Sequence, residues 1–343
     1  MLPVDSALDA LDLLVVVDNE SDTLSSVDQG VPQSPELRQL IARLPHRAPI
    51  DGHDCVEPWD HVCLACHGFS ALVTGRRGSE ERSVLFDVGP SADVWLENAR
   101  RLDVRLASIE AVCLSHWHAD HSGGFPDVVA AIARSRREEG LPPPMIDLHR
   151  DRPEQRGFMT PNGTLVLLNP EPTFEALERA GGRIAKHAEA HALAEFFFVS
   201  GEIMRVTPYE AGFVGHHTIR DGHAVPDPLI LDERFLAARV RGRGVSVLSS
   251  CSHAGVVNAA LGAQSAFPGE PIDVILGGYH LAGPGMEPRI EATVHDLAHR
   301  IKPRVVAPGH CTGWRAKAAL ARAFAPGHYG PSVVGSLYAL RAT

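Results

Sequence analysis

Apolar residues occur in short runs, separated by amphipathic stretches and by turns rich in glycine and proline, a pattern typical of α/β proteins. The runs that predict strands cover residues 11–17, 69–74, 83–89, 109–114, 145–149, 165–168, 196–199, 203–206, 245–248, 272–276 and 305–307. The stretches that predict helices cover residues 94–102, 126–139, 174–180, a segment ending at 263, and 289–300. Because helices separate many of these strands, we expect an α/β fold.

The polar residues that follow one of these strands form the most specific motif in the chain. Residues 115–121 read Ser-His-Trp-His-Ala-Asp-His, which spaces three histidines and an aspartate as H-x-H-x-D-H. A neutral imidazole donates one lone pair to a metal ion, and a carboxylate donates one or two oxygens. His116 and His118 project the same way from an extended or tightly turned backbone, while Asp120 and His121 can turn toward a neighbouring position. The spacing predicts two adjacent metal ions, one for each pair.

A histidine also follows each of the last three predicted strands, namely His253, His280 and His310. A single buried histidine is usually satisfied by one hydrogen bond in a core. Three of them at strand ends, in a chain that carries a metal-binding motif, favour a shared site, because loops at the carboxyl ends of strands converge over the sheet.

Composition narrows the function classes. The 343 residues suffice for one large domain or two small ones. A net charge of −10 argues against nucleic acid and anionic membranes as partners and leaves a small-molecule substrate, including an anionic one. Six cysteines do not make a disulfide scaffold in a chain of this length, and the apolar run 11–17 is too short for a signal peptide or a membrane span. We therefore expect a cytoplasmic protein with reduced thiols, of open oligomeric state.

The order of these motifs resembles the metallo-β-lactamase superfamily, through Phe86-Asp87-Val88-Gly89, the run from His116 to His121, and a late Gly-His. More narrowly, the chain resembles the dihydropterin ribofuranosyl-aminobenzene phosphate synthase-like branch of metal-dependent hydrolases. The motifs of that branch stand at residues 67–70, 115–124, 201–205, 251–255, 277–281 and 310–313.

The resemblance implies an α/β fold of the αββα sandwich type, with two mixed β-sheets flanked by helices and a metal pair at one edge. It implies one domain over residues 1–343, with a proline-rich insertion at about 30–62 and a substrate-covering insertion at about 142–240. Two divalent metal ions are expected, most readily zinc, with manganese and iron as alternatives.

The resemblance also implies the roles of individual residues. Asp87 is expected to orient a ligand histidine or the nucleophile. His280 is either a ligand or a proton donor to the leaving group, so the catalytic residues are Asp120, Asp87 and His280. The metal ligands are His116, His118 and His253 for the first ion and Asp120, His121 and His310 for the second.

One departure from the superfamily concerns the carboxylate that usually bridges the two metals. Related families place Gly-Asp after the strand that follows the third histidine, whereas the corresponding place here reads Cys251-Ser252-His253. An imidazole with one free lone pair cannot bridge two metals in the ordinary way. Either His253 serves a single metal, which we favour, or Cys251 contributes a thiolate, or the carboxylate is Asp227 or Asp232. We interpret Cys251 as a buried structural thiol rather than a ligand.

Substrate contacts are expected from the covering insertion. Arg205, Arg156 and His149 are candidates for binding an anionic group, because a guanidinium matches phosphate or carboxylate geometry, although solvated surface charges are equally consistent. The histidines at 216, 217 and 223 predict a lid over the site rather than a metal patch.

Two further features of the cysteines give weaker predictions. Cys63-x-x-Cys66 has zinc-ligand spacing, but no second pair of this kind follows, so a structural zinc is not favoured there. Cys311, beside His310, is expected to pack.

These features predict a metal-dependent hydrolase that uses a metal-bound hydroxide on a small ester, lactone or phosphate-containing substrate. The alternatives are a pterin-precursor synthase-type reaction, which the branch name implies, an iron-dependent redox enzyme, and a non-catalytic metal-binding module. Retention of the histidines and Asp120 argues against the last, since a scaffold needs none of them.

Overall fold

The computed structural model describes residues 7–343. Two β-sheets pack face to face and helices cover both outer faces, so the predicted αββα sandwich with mixed sheets is confirmed. The strands are β1 (Ala10–Val17), β2 (Gln33–Ser34), β3 (Arg47–Ile50), β4 (His53–Cys55), β5 (Ser70–Arg77), β6 (Glu80–Phe86), β7 (Ile109–Cys113), β8 (Met145–His149), β9 (Gln155–Met159), β10 (Leu165–Leu167), β11 (Arg183–His187), β12 (His191–Leu193), β13 (Phe197–Val199), β14 (His216–Arg220), β15 (His223–Pro226), β16 (Leu236–Val240), β17 (Gly244–Leu248), β18 (Ile272–Gly278), β19 (Val305–Gly309) and β20 (Leu337–Arg341). The α-helices are α1 (Glu36–Arg43), α2 (Ala92–Arg101), α3 (Ala119–Ser122), α4 (Phe125–Glu138), α5 (Phe174–Arg179), α6 (Val256–Ala266), α7 (Ile290–Asp296) and α8 (Trp314–Ala323).

The first sheet has the strand order β11-β8-β7-β6-β5-β1-β20-β2. Strands β6, β7, β8 and β11 run parallel to one another, and β5, β1 and β20 pair antiparallel. Helices α2, α4 and α5 cover the outer face through Trp95, Phe125 and Leu177. Both faces of β6 are therefore buried, which explains why its residues Val84-Leu85-Phe86 are all apolar.

The second sheet has the order β12-β13-β16-β17-β18-β19, and α6, α7 and α8 lie on its outer face. The inner faces of the two sheets share one apolar core, in which Leu13 and Phe86 of the first sheet and Leu248 and Leu276 of the second are fully buried.

The predicted strand at 203–206 is wrong. Strand β13 pairs with β12 on one side and with β16 on the other, so no hydrogen-bonding edge is left for residues 203–206. Ile203 packs inward while Met204 and Val206 are exposed, so the apolar residues of this segment do not form a buried strand.

The region predicted to cover the site divides between the sandwich and a separate sheet. Within residues 142–240, β8 and β11 belong to the first sheet and β12, β13 and β16 to the second. A four-stranded sheet of order β10-β9-β14-β15 stands apart from both. We call it the covering sheet. The division of the chain into one domain with two insertions stays a prediction.

The carboxyl ends of the parallel strands meet at one edge of the sandwich. Asp87 follows β6, the H-x-H-x-D-H motif follows β7, and His253, His280 and His310 follow β17, β18 and β19. Both sheets therefore deliver polar side chains to the same place. Among residues 7–343, no helix combines the length and apolar character needed to cross a bilayer.

Candidate metal centre

Three histidine nitrogens converge where β7 and β17 end. His116 Nε2 lies 2.9 Å from His118 Nδ1, and His253 Nε2 lies 3.2 Å from the first atom and 3.1 Å from the second. All three side chains are buried. The structure thus brings together the residues assigned from the sequence to the first metal.

These three rings fit a divalent cation. Burial holds the pKa of His116, His118 and His253 well below the ordinary histidine value, so each ring is neutral. Three neutral rings cannot all place protons between such close nitrogens, and lone pairs that face one another repel unless a cation lies between them. Zinc bound tetrahedrally by imidazoles separates the nitrogens by about 3.3 Å, close to the separations seen here.

A second group of ligand atoms surrounds Asp120. Its Oδ2 lies 3.6 Å from His121 Nε2 and 3.3 Å from His310 Nε2. Both imidazole nitrogens are buried and have no hydrogen-bond partner, as expected where a cation would satisfy them. His67 Nε2 also lies 3.5 Å from the same oxygen. His67 was not predicted as a ligand, because the spacing of residues 67–70 does not relate it to residues 115–121.

Asp87 forms hydrogen bonds that hold His121 and the start of the histidine motif. Its Oδ2 lies 2.8 Å from His121 Nδ1 and accepts the Ser115 hydroxyl at 2.7 Å, while its Oδ1 accepts the Ser115 backbone N–H at 2.7 Å. An ionised carboxylate only accepts, so it fixes the proton on His121 Nδ1 and leaves the Nε2 lone pair free. Asp87 is fully buried, and its contacts suit an orienting role rather than contact with a substrate.

The thiol of Cys251 lies between the two groups. Its Sγ is within 4.8 Å of one ligand nitrogen each of His116 and His121, 3.4 Å from His280 Nδ1 and 3.1 Å from Cys311 Sγ. This position would allow a thiolate to bridge the two groups, but burial raises the pKa of Cys251 well above its usual value, which favours the neutral thiol. His253 joins the histidines of the first group, as expected of a ligand to a single metal. Cys311, which was expected to pack, borders the open cavity instead.

Asp232 and Glu233 hold the loops that carry the histidines. Asp232 Oδ2 accepts the Trp117 backbone N–H at 2.8 Å, and its Oδ1 accepts the Arg156 guanidinium at 2.6 Å. Glu233 accepts the backbone N–H groups of His253 at 2.7 Å and of the next residue at 2.6 Å. Asp232 is therefore committed to the loop and is not placed between the two ligand groups.

His216, which was predicted to belong to a lid, lies against the first group. Its Nε2 is 2.9 Å from His118 Nε2, and its Nδ1 is 2.7 Å from the Asp227 carbonyl oxygen. The side chain is buried at the start of β14. No sequence pattern predicts this contact, because it arises only when β14 pairs with β9 in the covering sheet.

A cavity of about 500 Å³ opens above both groups. Imidazoles and the two thiols form its floor, and the covering sheet supplies an apolar wall with Phe158 and Leu167, joined by Phe213. Among the described residues that line it there is no lysine or arginine. The residues predicted to bind an anion lie elsewhere. Arg156 is committed to its buried ion pair, Arg205 donates to the Leu229 carbonyl, and His149 lines a separate recess.

Several residues at this edge adopt left-handed backbone conformations that non-glycine residues rarely adopt. The φ angles are 59° at Asp87, 54° at Ser252, 48° at His280 and 42° at His310. Such conformations concentrate at functional sites, where the surrounding structure holds them.

Known proteins share this architecture. A family model described as the metallo-beta-lactamase superfamily matches residues 64–206. The chain is 27% identical over 265 residues to the 7,8-dihydropterin-6-methyl-4-(beta-D-ribofuranosyl)-aminobenzene-5'-phosphate synthase of Methanocaldococcus jannaschii, an alignment spanning 73% of this chain and 82% of that protein. The fold matches the crystal structure of Tm1679, a metal-dependent hydrolase of the beta-lactamase superfamily, with a TM-score of 0.65 and 22% identity over 97% of this chain and 99% of that one.

Proposed function

We propose that this chain, which belongs to the metallo-β-lactamase superfamily, is a metal-dependent hydrolase that cleaves a small ester or lactone with an apolar body. Two divalent metal ions, most readily zinc, are the proposed cofactors. His116, His118 and His253 would hold one ion, and Asp120, His121 and His310 the other.

The arrangement of the two ligand groups is the observation that carries this proposal. Members of both groups line one cavity, namely His118 and His253 of the first and Asp120 and His310 of the second, together with the Cys251 thiol. A hydrolase needs a place where substrate and water meet the metals, and the cavity provides it.

Bound divalent metals supply Lewis acidity and lower the pKa of coordinated water from about 15.7 toward 7. The protein's own residues position the reactants. Asp87 holds the His121 ring through Nδ1, and Glu233 holds the backbone at His253. His280 lines the cavity beside His253, with ring centroids 4.2 Å apart, and is in position to supply a proton to the leaving group.

The cavity wall favours a substrate with an apolar body. Phe158 and Phe213 lie with ring centroids 6.4 Å apart, a spacing at which aromatic groups pack. Because the described lining contains no cationic side chain, a phosphate could be bound only by the metals or by imidazoles. An uncharged ester or lactone is therefore the favoured class, and a phosphate-containing substrate is the less favoured one.

A synthase reaction like that of the M. jannaschii relative is the second candidate. The similarity to that protein extends over most of both chains and supports it. The product in that protein's name joins ring systems to a phosphate. The aromatic wall suits the rings, whereas the lining offers no arginine for the phosphate.

The test is hydrolysis by chelator-stripped protein refilled separately with Zn²⁺, Mn²⁺ or Fe²⁺. The substrates are 4-nitrophenyl butyrate, an alkyl-substituted lactone and bis(4-nitrophenyl) phosphate. We expect metal-dependent turnover that is higher for the ester or lactone than for the phosphodiester.

Two variants complete the test: one replaces a histidine of the centre, and the matched control replaces a histidine outside it. His118→Ala should lower turnover by about 100-fold or more, whereas His299→Ala, at an exposed position, should not change it. Equal turnover in the stripped and refilled proteins would contradict a metal-dependent hydrolase.

We also propose that the protein works in the cytoplasm on a small molecule. All six cysteines are free thiols, which suits a reducing compartment. The acidic net charge disfavours nucleic acid as a partner.

A further inference from the structure

A second set of metal-ligating side chains lies outside the cavity, at the lateral edge of the sandwich. It consists of Asp147 in β8, His187 at the end of β11 and His191 at the start of β12. Strand β11 is the edge of the first sheet and β12 the edge of the second. The three residues therefore join the two sheets where both would otherwise end. We call them the edge cluster.

Both imidazoles point at one oxygen atom. His187 Nδ1 lies 2.8 Å and His191 Nε2 lies 2.6 Å from Asp147 Oδ2. The two rings stack with centroids 3.8 Å apart and an interplanar angle of 27°. The carboxylate is fully buried, while the side chains of His187 and His191 keep 36% and 16% of their surface exposed. An ion held there would have protein on one side and water within reach on the other.

The remaining hydrogen bond of His191 fixes which of its nitrogens carries a proton. Its Nδ1 lies 3.0 Å from the Glu189 carbonyl oxygen, which can only accept, so the proton is on Nδ1. In the neutral ring Nε2 then has only a lone pair, and it faces a carboxylate oxygen that also has only lone pairs. Either a second proton on His191 or a cation must therefore lie between the two atoms. In a metal-bound histidine, the nitrogen that does not bind the metal usually donates its N–H to a backbone carbonyl or a carboxylate, as His191 Nδ1 does here.

The other oxygen of Asp147 is already engaged. Oδ1 accepts Arg234 Nη1 at 2.6 Å, and the Arg234 side chain is buried. The carboxylate is thus held in one orientation, with Oδ2 turned toward the histidines. Two histidines and one carboxylate are a common ligand set for zinc and other divalent transition metals, with water completing the coordination.

We propose that the edge cluster binds a divalent transition metal ion, of the zinc class, that clamps the edge strands of the two sheets together. The ion is distinct from those proposed for the cavity, because Asp147, His187 and His191 are not among the residues that line it. The clamp connects β8 and β11 with β12 across the interface of the sandwich.

The test is the number of zinc ions per chain in full-length protein without a polyhistidine tag. We compare the wild type, the double variant His187→Ala/His191→Ala and the matched control His295→Ala/His299→Ala. The control removes an exposed pair whose ring centroids lie 4.8 Å apart. The double variant should lose one zinc per chain, and the control should lose none. Unchanged zinc content in the double variant would overturn the proposal and leave a hydrogen-bonded network with a protonated His191.

Two further measurements separate the edge cluster from the cavity and from misfolding. His253→Ala should still bind the edge ion, so the two losses should add when the variants are combined. In the wild type, ¹H–¹⁵N spectra of the imidazoles before and after addition of Zn²⁺ should show shifts at His187 Nδ1 and His191 Nε2. The absence of these shifts would overturn the proposal even if the double variant did not fold.

Discussion

The strand-end loops and the covering sheet contribute to the same cavity in opposite ways. The loops after β7, β17 and β19 bring polar ligand atoms to the cavity floor, and each loop is fixed by the rigid sheet beneath it. The covering sheet turns its polar Arg156 inward to a buried ion pair and presents apolar Phe158 to the cavity. The strand ends thus supply the candidate metal ligands, while the covering sheet supplies the apolar wall of the cavity.

This difference explains why one region was predictable and the other was not. Ligands after strand ends follow local spacing, as His116 and His118 show, because both lie in the tight bend after β7, where the His118 backbone N–H donates to the His116 carbonyl. The role of a residue in the covering sheet depends on which strands pair. Arg156 reads as an anion binder in the sequence, and only the approach of Asp232 makes it structural.

The largest effect is expected when a proposed metal ligand is replaced, compared with an acidic residue on the exposed surface. Asp120→Asn weakens the one anionic ligand of the second group and should lower turnover by about 100-fold or more, with loss of bound metal. Asp127→Asn, at an exposed position seven residues later on α4, is the matched control and should behave as wild type. Initial rates and metal content measure both. A fully active Asp120→Asn would remove Asp120 from the proposed ligands.

The second expected effect concerns stability rather than substrate binding. Arg156→Met leaves the Asp232 carboxylate buried without its partner and should lower the free energy of unfolding by about 3–5 kcal/mol. Arg105→Met, which breaks an exposed ion pair with Glu139, should cost at most about 1 kcal/mol. Urea unfolding measures both variants, and the double variant Arg156→Met/Asp232→Asn should recover part of the loss.

A different outcome would restore the interpretation made from the sequence. If Arg156→Met unfolds at the same urea concentration as wild type and selectively weakens anionic substrates, Arg156 binds substrate and the two regions do not divide the work as described.

The smallest expected effect tests the apolar wall. Phe158→Ala should raise KM for an apolar ester by about 10-fold and change kcat little, because the ring contacts the body of the substrate rather than its reacting group. Val225→Ala, in the same sheet but away from the cavity, is the control. Steady-state kinetics with esters of increasing chain length measure the difference. An equal loss in kcat and no dependence on chain length would contradict this role.

Most strands and helices were predictable from the sequence, since buried strands and amphipathic helices leave strong patterns, and the family resemblance implied their arrangement as a sandwich. The prediction at residues 203–206 was wrong because a short, mostly apolar run favours a strand, but hydrogen-bonding partners decide whether one forms. The position of Cys251 between the ligand groups, and of His216 against His118, depends on contacts between elements far apart in the sequence. No local spacing encodes such contacts.

The most direct test of the central claim is the metal content of untagged wild type and His253→Ala, measured side by side with His299→Ala. If the strand-end histidines hold the metals, His253→Ala should lose at least one metal ion per chain and its hydrolytic activity, while His299→Ala should lose neither. Metal content and activity unchanged in His253→Ala would contradict the assignment of the first group and the proposed function that rests on it.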